Sequence, residues 1–510
     1  MVGALEPRVW TMRPPCHATA ARPRRAAQRG RRLASRLVAG VALALLGWSQ
    51  IARAAGDLMI RNARLLDGTG AAARDGVSIA IREGRITAIG PDLPEAVGGP
   101  VLDAGGRTVL PGLIDAHVHF AAAPGGAFRG DSPATRRELN RRHLRAYLAS
   151  GITTVLEPGS PEATVREIEQ MIAEGAPAPR YLTTGPMITV PGGYPGTDLH
   201  GPVKSPEDVR QKLALIQSLN GVGVKIAVES LGGLAPYPPD ILEAILSGAR
   251  ERGLPVYAHA TAPQDQATAL GYGVRAIMHS PMGGHWMGQF LPPPDLSEEY
   301  VQRMAKSGAY QQTTFSILDA WPNHYDTARL ADPSVRLVVP ELELETARNP
   351  EATRYFFSQL IGAQAGWTPE FLRPYIARLL FRKTNLDEGL EYSQRNVAKL
   401  YRAGVPIVAA TDAPSIWPLA MYNFHGPQLA REVELLGAAG LPPDAALAAV
   451  TRVPASMLSL DAEIGTVEVG KRADLLIVDG DPQKDLRALR NVRWTVHDGV
   501  AHTPAEWING

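Results

Sequence analysis

Short strand-like runs alternate with helical segments through the middle of the chain, and this alternation constrains the fold more than any other feature. Three of the helix patterns cover Pro133–Ser150, Pro206–Leu219 and Pro239–Arg252. Eight strands separated by helices are typical of a (β/α)8 barrel, in which a parallel sheet closes inside a ring of helices. The sequence therefore predicts an α/β fold with a TIM-like barrel, whose strands end near His119, Glu157, Gly185, Lys225, His259, His279, Phe315 and Asp412.

One interval between predicted strands is much longer than the others. It separates Phe315 from Asp412 and ends in a helix pattern over Gly389–Arg402. The rest of the interval predicts a mostly helical insertion around residues 318–388 of a barrel that spans residues 111–462.

Two segments that flank the predicted barrel, residues 56–110 and 463–510, have a different sequence pattern. They contain short β segments separated by turns rich in Gly and Asp. The 510 residues allow a large domain and a smaller one. Two β-rich ends that flank one long middle predict a small β-sandwich built from residues 56–110 and 463–510, with the barrel inserted between them.

Two histidines follow the first predicted barrel strand, in the stretch 111–119 (PGLIDAHVH). Residues two apart in a strand point to the same side, so His117 and His119 can reach one point beyond the strand end. Neutral imidazole is a common ligand of zinc-type metals, and this pair predicts half of a metal site.

Four more strand ends carry residues that could join this site. Each has an ordinary alternative role, such as a hydrogen-bonded core histidine, a turn aspartate or a structural ion pair. Lys225 lies in an apolar stretch, and a buried lysine needs a charge partner or a modified state. Because the carboxyl ends of barrel strands converge on one mouth, a metal site is predicted from the two histidines together with Lys225, His259, His279 and Asp412.

Further motifs accompany these residues: GITTV at 151–155, TDAP at 411–414, GTVEVGKRADLLIVD at 465–479, and the two histidine strands twenty residues apart. With the stretch 111–119, they resemble the amidohydrolase superfamily. Within it, the chain is similar to the branch of imidazolonepropionase-like and Xaa-Pro dipeptidase-like metal-dependent hydrolases, whose fourth strand carries a carboxylated lysine that Lys225 matches.

The resemblance implies two divalent metal ions, usually zinc. His117, His119 and Asp412 would hold one ion, and His259 and His279 the other. Carboxylated Lys225 and a hydroxide would bridge the two ions. Asp412 would also accept a proton from the water and pass it to the leaving nitrogen.

The chain departs from the branch in the loop after strand three. Relatives often carry Gly-Gly-His-Gly there, whereas this sequence has Gly-Gly-Tyr-Pro at 192–195. Tyr194 can donate a hydrogen bond but cannot become a cation near neutral pH, which puts dipeptide and lactam specificity in doubt. We expect Tyr194, His285 and His425 to contact substrate. Glu157 stands where relatives often have aspartate.

The leading functional hypothesis is an exported metal-dependent amidohydrolase that cuts an amide, lactam or dipeptide-type C–N bond. A phosphotriester or lactone hydrolase could use the same two-metal site. A hydrolytic deaminase is a further alternative, but related deaminases place a glutamate shortly after the fifth-strand histidine, and residues 260–263 (ATAP) contain no acid. A non-catalytic binding protein would have lost ligands, and none is missing.

The first 55 residues read as a signal peptide. An arginine-rich start is followed by the apolar run Leu37–Trp48 and by small residues at 52–55 (ARAA), which predicts cleavage near Ala54 or Ala55. Arg31 and Arg32 add a weak twin-arginine character. We therefore expect a periplasmic or secreted protein.

The charge and the cysteine content of the chain limit the kinds of binding partner that we expect. The sole cysteine, Cys16, and ten arginines lie in the first 55 residues, so the remainder has no disulfide and a net charge of −8. No basic patch is present, which argues against nucleic acid. We expect a small-molecule substrate, no membrane association after cleavage, and the homo-oligomer that the resemblance suggests.

Overall fold

The structure is a computed structural model that describes residues 56–94, 99–195, 199–230, 233–283, 294–322, 324–364, 368–414 and 422–510. The predicted signal peptide lies outside these residues. The sixteen described strands are β1 (Leu58–Leu65), β2 (Arg74–Arg82), β3 (Arg85–Gly90), β4 (Val101–Asp103), β5 (Thr108–Pro111), β6 (Leu113–Asp115), β7 (Ile152–Glu157), β8 (Arg180–Thr183), β9 (Val224–Ala227), β10 (Val256–His259), β11 (Ala276–Met278), β12 (Tyr310–Thr313), β13 (Ile407–Ala409), β14 (Leu475–Val478), β15 (Val492–His497) and β16 (Val500–His502).

Helices separate most of the strands from β6 to β13, as the sequence predicts. Short 3-10 helices occur at Thr327–Ala331, Glu370–Leu372 and Leu486–Arg490. The described α-helices are Gly126–Arg129, Pro133–Ala149, Glu162–Ala173, Pro206–Ser218, Pro239–Glu251, Pro263–Gly271, Glu298–Ser307, Phe315–Asp319, Pro333–Val338, Glu341–Arg348, Pro350–Gln364, Arg373–Leu380, Lys383–Arg402, Gln428–Ala438, Pro443–Ala448, Arg452–Met457 and Pro504–Asn509. Among the described residues, no helix is both long and apolar enough to cross a membrane.

The eight strands β6 to β13 are parallel and lie in sequence order. They form a sheet of three (β6-β7-β8) and a sheet of five (β9 to β13). Backbone contacts join the two sheets on both sides: Val222 donates to the carbonyl of Thr183 at 2.8 Å, and Val118 pairs with Ala413 in a parallel bridge. This arrangement brings the carboxyl ends of all eight strands to one side, as the barrel prediction requires.

The strands of this region are buried on both faces because helices cover them. Every residue of β7, β8, β9 and β13 is buried, which is typical of parallel sheets between helices. Capping residues in the local sequence define where the covering helices begin. Ser205, for example, accepts a hydrogen bond from the Asp208 amide at 3.2 Å, and Pro206 occupies the first turn.

Strands from both ends of the described chain share one sheet. Its order is β16-β15-β14-β5-β1-β2-β3, with β4 paired to β1. The sequence predicts a two-sheet sandwich here, but β14 pairs antiparallel with β5 and makes the sheet continuous. Alternating apolar residues indicate which face of a strand is buried, whereas the choice of hydrogen-bonding neighbour depends on the folded chain.

A buried ion pair links this sheet to the parallel strands. Arg180 opens β8, and its guanidinium lies 2.7 Å from the carboxylate of Asp474, which directly precedes β14. Burial alone would raise the pKa of Asp474, but Arg180 and His497 outweigh it and hold that pKa far below the ordinary value. The charged form of Asp474 therefore stabilises the junction.

We expect Asp474→Asn to destabilise the protein by roughly 3–5 kcal/mol, because the buried charge of Arg180 would keep only its longer contact with Asp498, at 3.5 Å. Denaturant unfolding measures this loss. In the wild type, the contribution of Asp474 should be present above about pH 4 and decline at lower pH, since its folded pKa is depressed. Asp75→Asn, which removes an exposed ion pair with Arg64, is the control and should cost at most about 1 kcal/mol. Equal losses in the two variants would contradict the prediction.

Candidate metal centre

The six predicted metal ligands meet in one small cavity at the carboxyl ends of the parallel strands. They come from the segment after β6, from β9 and β10, and from the residues that follow β11 and β13. The cavity is lined by His117, His119, Pro158, Gly159, Met187, Tyr194, Lys225, His259, His279 and Asp412.

The histidine pair lies just beyond β6, on a segment that stays extended. Its backbone bonds to neighbours on both sides: Val118 donates to Leu156 at 2.9 Å, and His119 donates to Ala413 at 2.7 Å. The Nε2 atoms of His117 and His119 lie 3.1 Å and 3.0 Å from Oδ1 of Asp412. Three potential ligand atoms thus converge from two strand ends, as the i, i+2 spacing predicts.

Two of the six residues have a left-handed backbone, His279 with φ 79° and Asp412 with φ 54°. Such conformations cost free energy for residues other than glycine and persist where surrounding contacts hold them. The carbonyl of His279 accepts hydrogen bonds from the side chains of Gln311 at 2.6 Å and Gln266 at 3.2 Å. The amide of Asp412 donates to His117 at 2.8 Å. The strained backbone therefore lies at His279 and Asp412, two residues whose side chains line the cavity.

Hydrogen bonds decide which nitrogen of each histidine is available as a ligand. Nδ1 of His117 lies 2.7 Å from Oε1 of Gln312, whose own amide group donates to the carbonyl of Ala116. Because that Oε1 can only accept, His117 carries its proton on Nδ1 and presents a lone pair at Nε2.

The other two strand-end histidines are oriented in the same manner. Nδ1 of His279 lies 3.1 Å from the hydroxyl of Thr314, which leaves its Nε2 as the ligand atom. Nε2 of His259 lies 3.3 Å from the carboxylate of Glu229, which leaves its Nδ1 instead. Gln312, Thr314 and Glu229 carry no local sequence signal for this role, because each lies on a different strand end from the histidine that it orients.

Glu432 supports this arrangement from behind. Its buried carboxylate accepts hydrogen bonds from the Thr313 hydroxyl at 2.7 Å and from the amides of Phe315 and Ser316 at 3.0 Å and 2.6 Å. These contacts surround Thr314, the partner of His279. Burial raises the pKa of Glu432 to about 7, although the hydrogen bonds oppose that shift. Glu432 therefore positions a segment of the site and does not itself line the cavity.

Asp115 has a comparable role at the neighbouring strand end. Its carboxylate accepts hydrogen bonds from the hydroxyl of Thr411 at 2.7 Å and from the Thr411 amide at 3.1 Å. Thr411 directly precedes Asp412, and Asp115 lies two residues before His117. Burial raises the pKa of Asp115 to about 7. The contact connects the segments that carry the histidine pair and the aspartate.

Lys225 is buried beside the other ligands, and its environment is unusual for an ammonium group. Its Nζ contacts the thioether of Met278 at 2.8 Å, and a thioether is a weak acceptor. Burial lowers the pKa of Lys225 to about 7, with Asp412 opposing the shift. Burial therefore favours the neutral amine of Lys225, which is the form that reacts with electrophiles.

The predicted substrate contacts have different outcomes. Tyr194 lines the cavity, and its ring stacks on His259 at 4.1 Å between centroids. His285 lies outside the described residues. His425 is buried away from the cavity lining: it stacks on His143 at 3.9 Å, and its Nδ1 lies 2.7 Å from the hydroxyl of Tyr147. The described cavity lining does not include His425, so its contact with substrate stays a prediction.

Glu157 ends β7 and acts as a structural acceptor. Its carboxylate accepts the amide of Phe120 at 2.6 Å and the hydroxyls of Ser160 and Tyr181. Phe120 follows the histidine pair, so this carboxylate fixes the end of that segment. Burial raises the pKa of Glu157, and these hydrogen bonds oppose the shift.

The residues present fit divalent metal ions. Burial keeps the pKa of both His117 and His279 well below the ordinary value, so these imidazoles are neutral and able to coordinate. Imidazole nitrogens with one carboxylate are a usual donor set for zinc, and they also suit other transition metals. The cavity, the orientation of the ring nitrogens and the Asp412 carboxylate together define a candidate metal centre.

Comparisons with known proteins agree with this fold. The Amidohydrolase family model matches residues 108–286 and 361–501, so the chain belongs to the amidohydrolase family. An imidazolonepropionase of Hyphomonas neptunium (strain ATCC 15444) is 25% identical over 383 residues, which cover 67% of this chain and 84% of that protein.

Solved structures of hydrolases share the fold. A Xaa-Pro dipeptidase with bound methionine in its active site superimposes with a TM-score of 0.63 at 22% identity, over 88% of this chain and 100% of that one. Molinate hydrolase has a TM-score of 0.63 at 19% identity, over 88% of this chain and 95% of that one. Membership of the amidohydrolase family identifies the protein as a hydrolase that acts on carbon–nitrogen bonds.

The contact between His117 and Gln312 is testable through metal affinity. We expect Gln312→Met to weaken metal binding by about 10–100-fold, because His117 loses the acceptor that fixes its tautomer and ring orientation. Competition with a chromophoric chelator measures the dissociation constant. Gln170→Met on the exposed face of the helix Glu162–Ala173 is the matched control and should leave it unchanged. An unaltered constant in the Gln312 variant would show that this hydrogen bond does not orient the ligand.

Proposed function

We propose that this protein is an exported amidohydrolase that cuts an amide, lactam or dipeptide-type C–N bond at a centre of two divalent metal ions. One observation carries the proposal: six residues of metal-binding or metal-bridging type, from five separate strand ends, line one cavity. Membership of the amidohydrolase family supports it, as do the names of its relatives, an imidazolonepropionase and a Xaa-Pro dipeptidase.

The chain offers two sets of ligands. His117, His119 and Asp412 would hold one ion, and His259 with His279 the second, while Lys225 lies in the same cavity as both sets. Ions at these positions would lower the pKa of water and polarise the carbonyl of the scissile bond. The chain's own part is to keep His117 and His279 neutral through burial, and to hold the rings of His117, His259 and His279 by their second nitrogens.

Asp412 is proposed to move the proton. Its Oδ1 contacts both histidines of the pair, and within the described residues no hydrogen bond occupies its Oδ2. A carboxylate at this position can accept a proton from the attacking water and deliver it to the leaving nitrogen. Asp412 has a left-handed backbone, and its backbone N–H donates a hydrogen bond to the carbonyl of His117. Both features hold the carboxylate in place for this transfer.

Lys225 is proposed to carry a carboxyl group on Nζ. The buried amine has a weak acceptor as its neighbour and a pKa lowered to about 7, so it is available to react with carbon dioxide. A carbamate replaces a positive charge by a negative one and supplies two oxygens to the same cavity. That change suits a position in a cavity lined by four histidines and the cations that they would hold.

A hydrolysis screen tests the proposed reaction. Purified protein loaded with zinc, manganese or cobalt is offered N-acyl amino acids, dipeptides, lactams and organophosphates. We expect turnover within one C–N class and none in the Asp412→Asn variant, which controls for contaminating hydrolases. Turnover of organophosphates or lactones alone would contradict the C–N assignment and favour the alternative hydrolase. Amino-substituted heterocycles are tested as well. Release of ammonia from them, without cleavage of any N-acyl amino acid, dipeptide or lactam, would identify a deaminase.

Export is a separate part of the proposal and rests on residues 1–55, with their arginines, the apolar run Leu37–Trp48 and the small residues at 52–55. We expect the protein recovered from the periplasm or medium to begin near Ala55 or Gly56. N-terminal sequencing and intact mass measure the start. A cytoplasmic protein that retains Arg22 to Arg36 would contradict the prediction.

A further inference from the structure

Exposed apolar side chains are concentrated on one short segment of the helical insertion. Of the eight large apolar side chains that are exposed in the described part of the chain, four lie within residues 371–379. They are Phe371, Leu372, Tyr375 and Leu379, with exposed fractions of 72%, 39%, 71% and 56%, and they are called the apolar strip below. Clusters of this kind on soluble proteins mark interaction sites.

The apolar strip is the outward face of a packed helix. Phe371, Tyr375 and Leu379 are spaced four residues apart, so they share one side of the 3-10 turn and the helix Arg373–Leu380. The opposite side is buried through Ala377, and Phe381 stacks on Phe357 at 6.2 Å between centroids. Because the inner face is anchored in the core of the insertion, the strip cannot turn inward to hide its apolar surface.

Charges at the two ends of the strip have opposite sign. Glu370 precedes it, while Arg378 and Arg382 lie at its far end, and all three are exposed. Across the described ranges, none of these three side chains takes part in an ion pair or hydrogen bond. By contrast, Lys383 next to them is paired with Asp387 at 3.0 Å. The strip is therefore apolar at its centre, acidic at its start and basic at its end.

This pattern is complementary to itself when two copies run antiparallel. Phe371 and Leu379 are each four residues from Tyr375, so a two-fold axis near Tyr375 places Phe371 of one copy opposite Leu379 of the other. The same rotation brings Glu370 toward the arginines at the far end of the partner's strip. A two-fold interface of this kind uses the same patch on both copies.

We propose that the apolar strip with Glu370, Arg378 and Arg382 is the contact between two copies of this chain in a two-fold dimer. The proposal does not depend on the proposed reaction. A second copy is favoured over an anionic lipid surface because it matches charges of both signs, whereas anionic lipid would attract Arg378 and Arg382 but repel Glu370.

The exposed apolar area of the strip determines how strong a dimer we expect. At the observed exposures, the four side chains present roughly 400–500 Å² of apolar surface per copy. A stable protein complex buries about 800 Å² per partner, so the strip supplies about half of that area and its neighbours the rest. We therefore expect a reversible dimer with a dissociation constant on the order of micromolar, not an obligate one.

Sedimentation velocity of the purified protein tests the proposal between about 0.1 and 50 µM. The wild type should pass from monomer to dimer over this range. Tyr375→Glu places two like charges at the two-fold axis and should leave only monomer. Val469→Glu, at an exposed apolar residue outside the insertion (62% exposed), is the control and should dimerise as the wild type does. Unchanged thermal unfolding of both variants confirms that they fold.

A charge exchange tests the antiparallel arrangement. Glu370→Arg alone should raise the dissociation constant at least fivefold, and adding Arg378→Glu and Arg382→Glu to it should restore dimerisation. A wild type that stays monomeric at every concentration would overturn the proposal. So would a dimer that survives Tyr375→Glu, because its interface must lie elsewhere. Co-sedimentation of monomeric wild type with phosphatidylglycerol vesicles, lost in Tyr375→Glu, would assign the strip to a lipid surface instead.

Discussion

Replacing Lys225 by alanine is expected to remove most of the bound metal and to lower the hydrolytic rate by at least about 10³-fold, since the proposed carbamate would be shared by both ions. The alanine variant retains His117, His119, His259, His279 and Asp412, so each half of the centre keeps its own ligands. Metal content by atomic emission and kcat on the substrate found in the screen are measured together. Added acetate or formate with bicarbonate should restore part of both, because a short carboxylate can occupy the vacated space.

The control for this variant is Lys484→Ala, at a lysine that is largely exposed far from the cavity. It should keep full metal content and rate. Intact mass of the wild type under native conditions gives a second readout, since a carboxylated lysine adds one carbon dioxide. Full metal content and a near-normal rate in Lys225→Ala would refute the bridging role and leave Lys225 as a buried structural residue.

Asp412→Asn separates proton transfer from metal binding. Asparagine keeps the size of the side chain and one oxygen but cannot take up a proton near neutral pH. We expect kcat to fall by about 10²–10⁴-fold, which is the usual contribution of a positioned acid–base group. KM should change much less, because the lost interaction belongs to the transition state. Steady-state kinetics and metal stoichiometry are measured on the same preparation.

His117→Ala provides the contrast. It removes a ligand whose Nε2 faces Asp412, so it should lose metal together with activity. If Asp412→Asn retains metal while its kcat falls, the two functions of the aspartate are resolved. An Asp412→Asn enzyme with intact kcat would mean that another group accepts the proton. His279, which lines the cavity, would be the next residue to test, whereas His425 lies outside the cavity lining.

Much of the centre was predictable because local sequence controls strand direction. The spacing of His117 and His119 places both on one side of an extended segment, and the structure brings both within 3.1 Å of Asp412. His259, His279 and Lys225 were predicted from their positions at strand ends, and the parallel order of the strands gathers them. These residues meet in one cavity because the carboxyl ends of the parallel strands lie on one side, whereas their role as metal ligands stays a prediction.

The partners of those ligands could not be predicted in the same way. Gln312 orients His117, Thr314 orients His279 and Glu229 orients His259, in each case from a different strand. A glutamine, a threonine or a glutamate at a strand end has no distinctive local pattern. The acid near His259 illustrates the same limit: residues 260–263 contain none, yet the tertiary structure places Glu229 beside the ring of His259.

The sequence by itself determined the alternation of strands and helices and the residue types at the strand ends, because these depend on local periodicity and side-chain chemistry. Only the tertiary structure decided that the strands of both ends join into one sheet, that His425 packs on His143 away from the cavity, and which ring nitrogens face the centre. These outcomes depend on hydrogen bonds and packing between residues that are hundreds of positions apart. Such contacts exist only once the chain has folded.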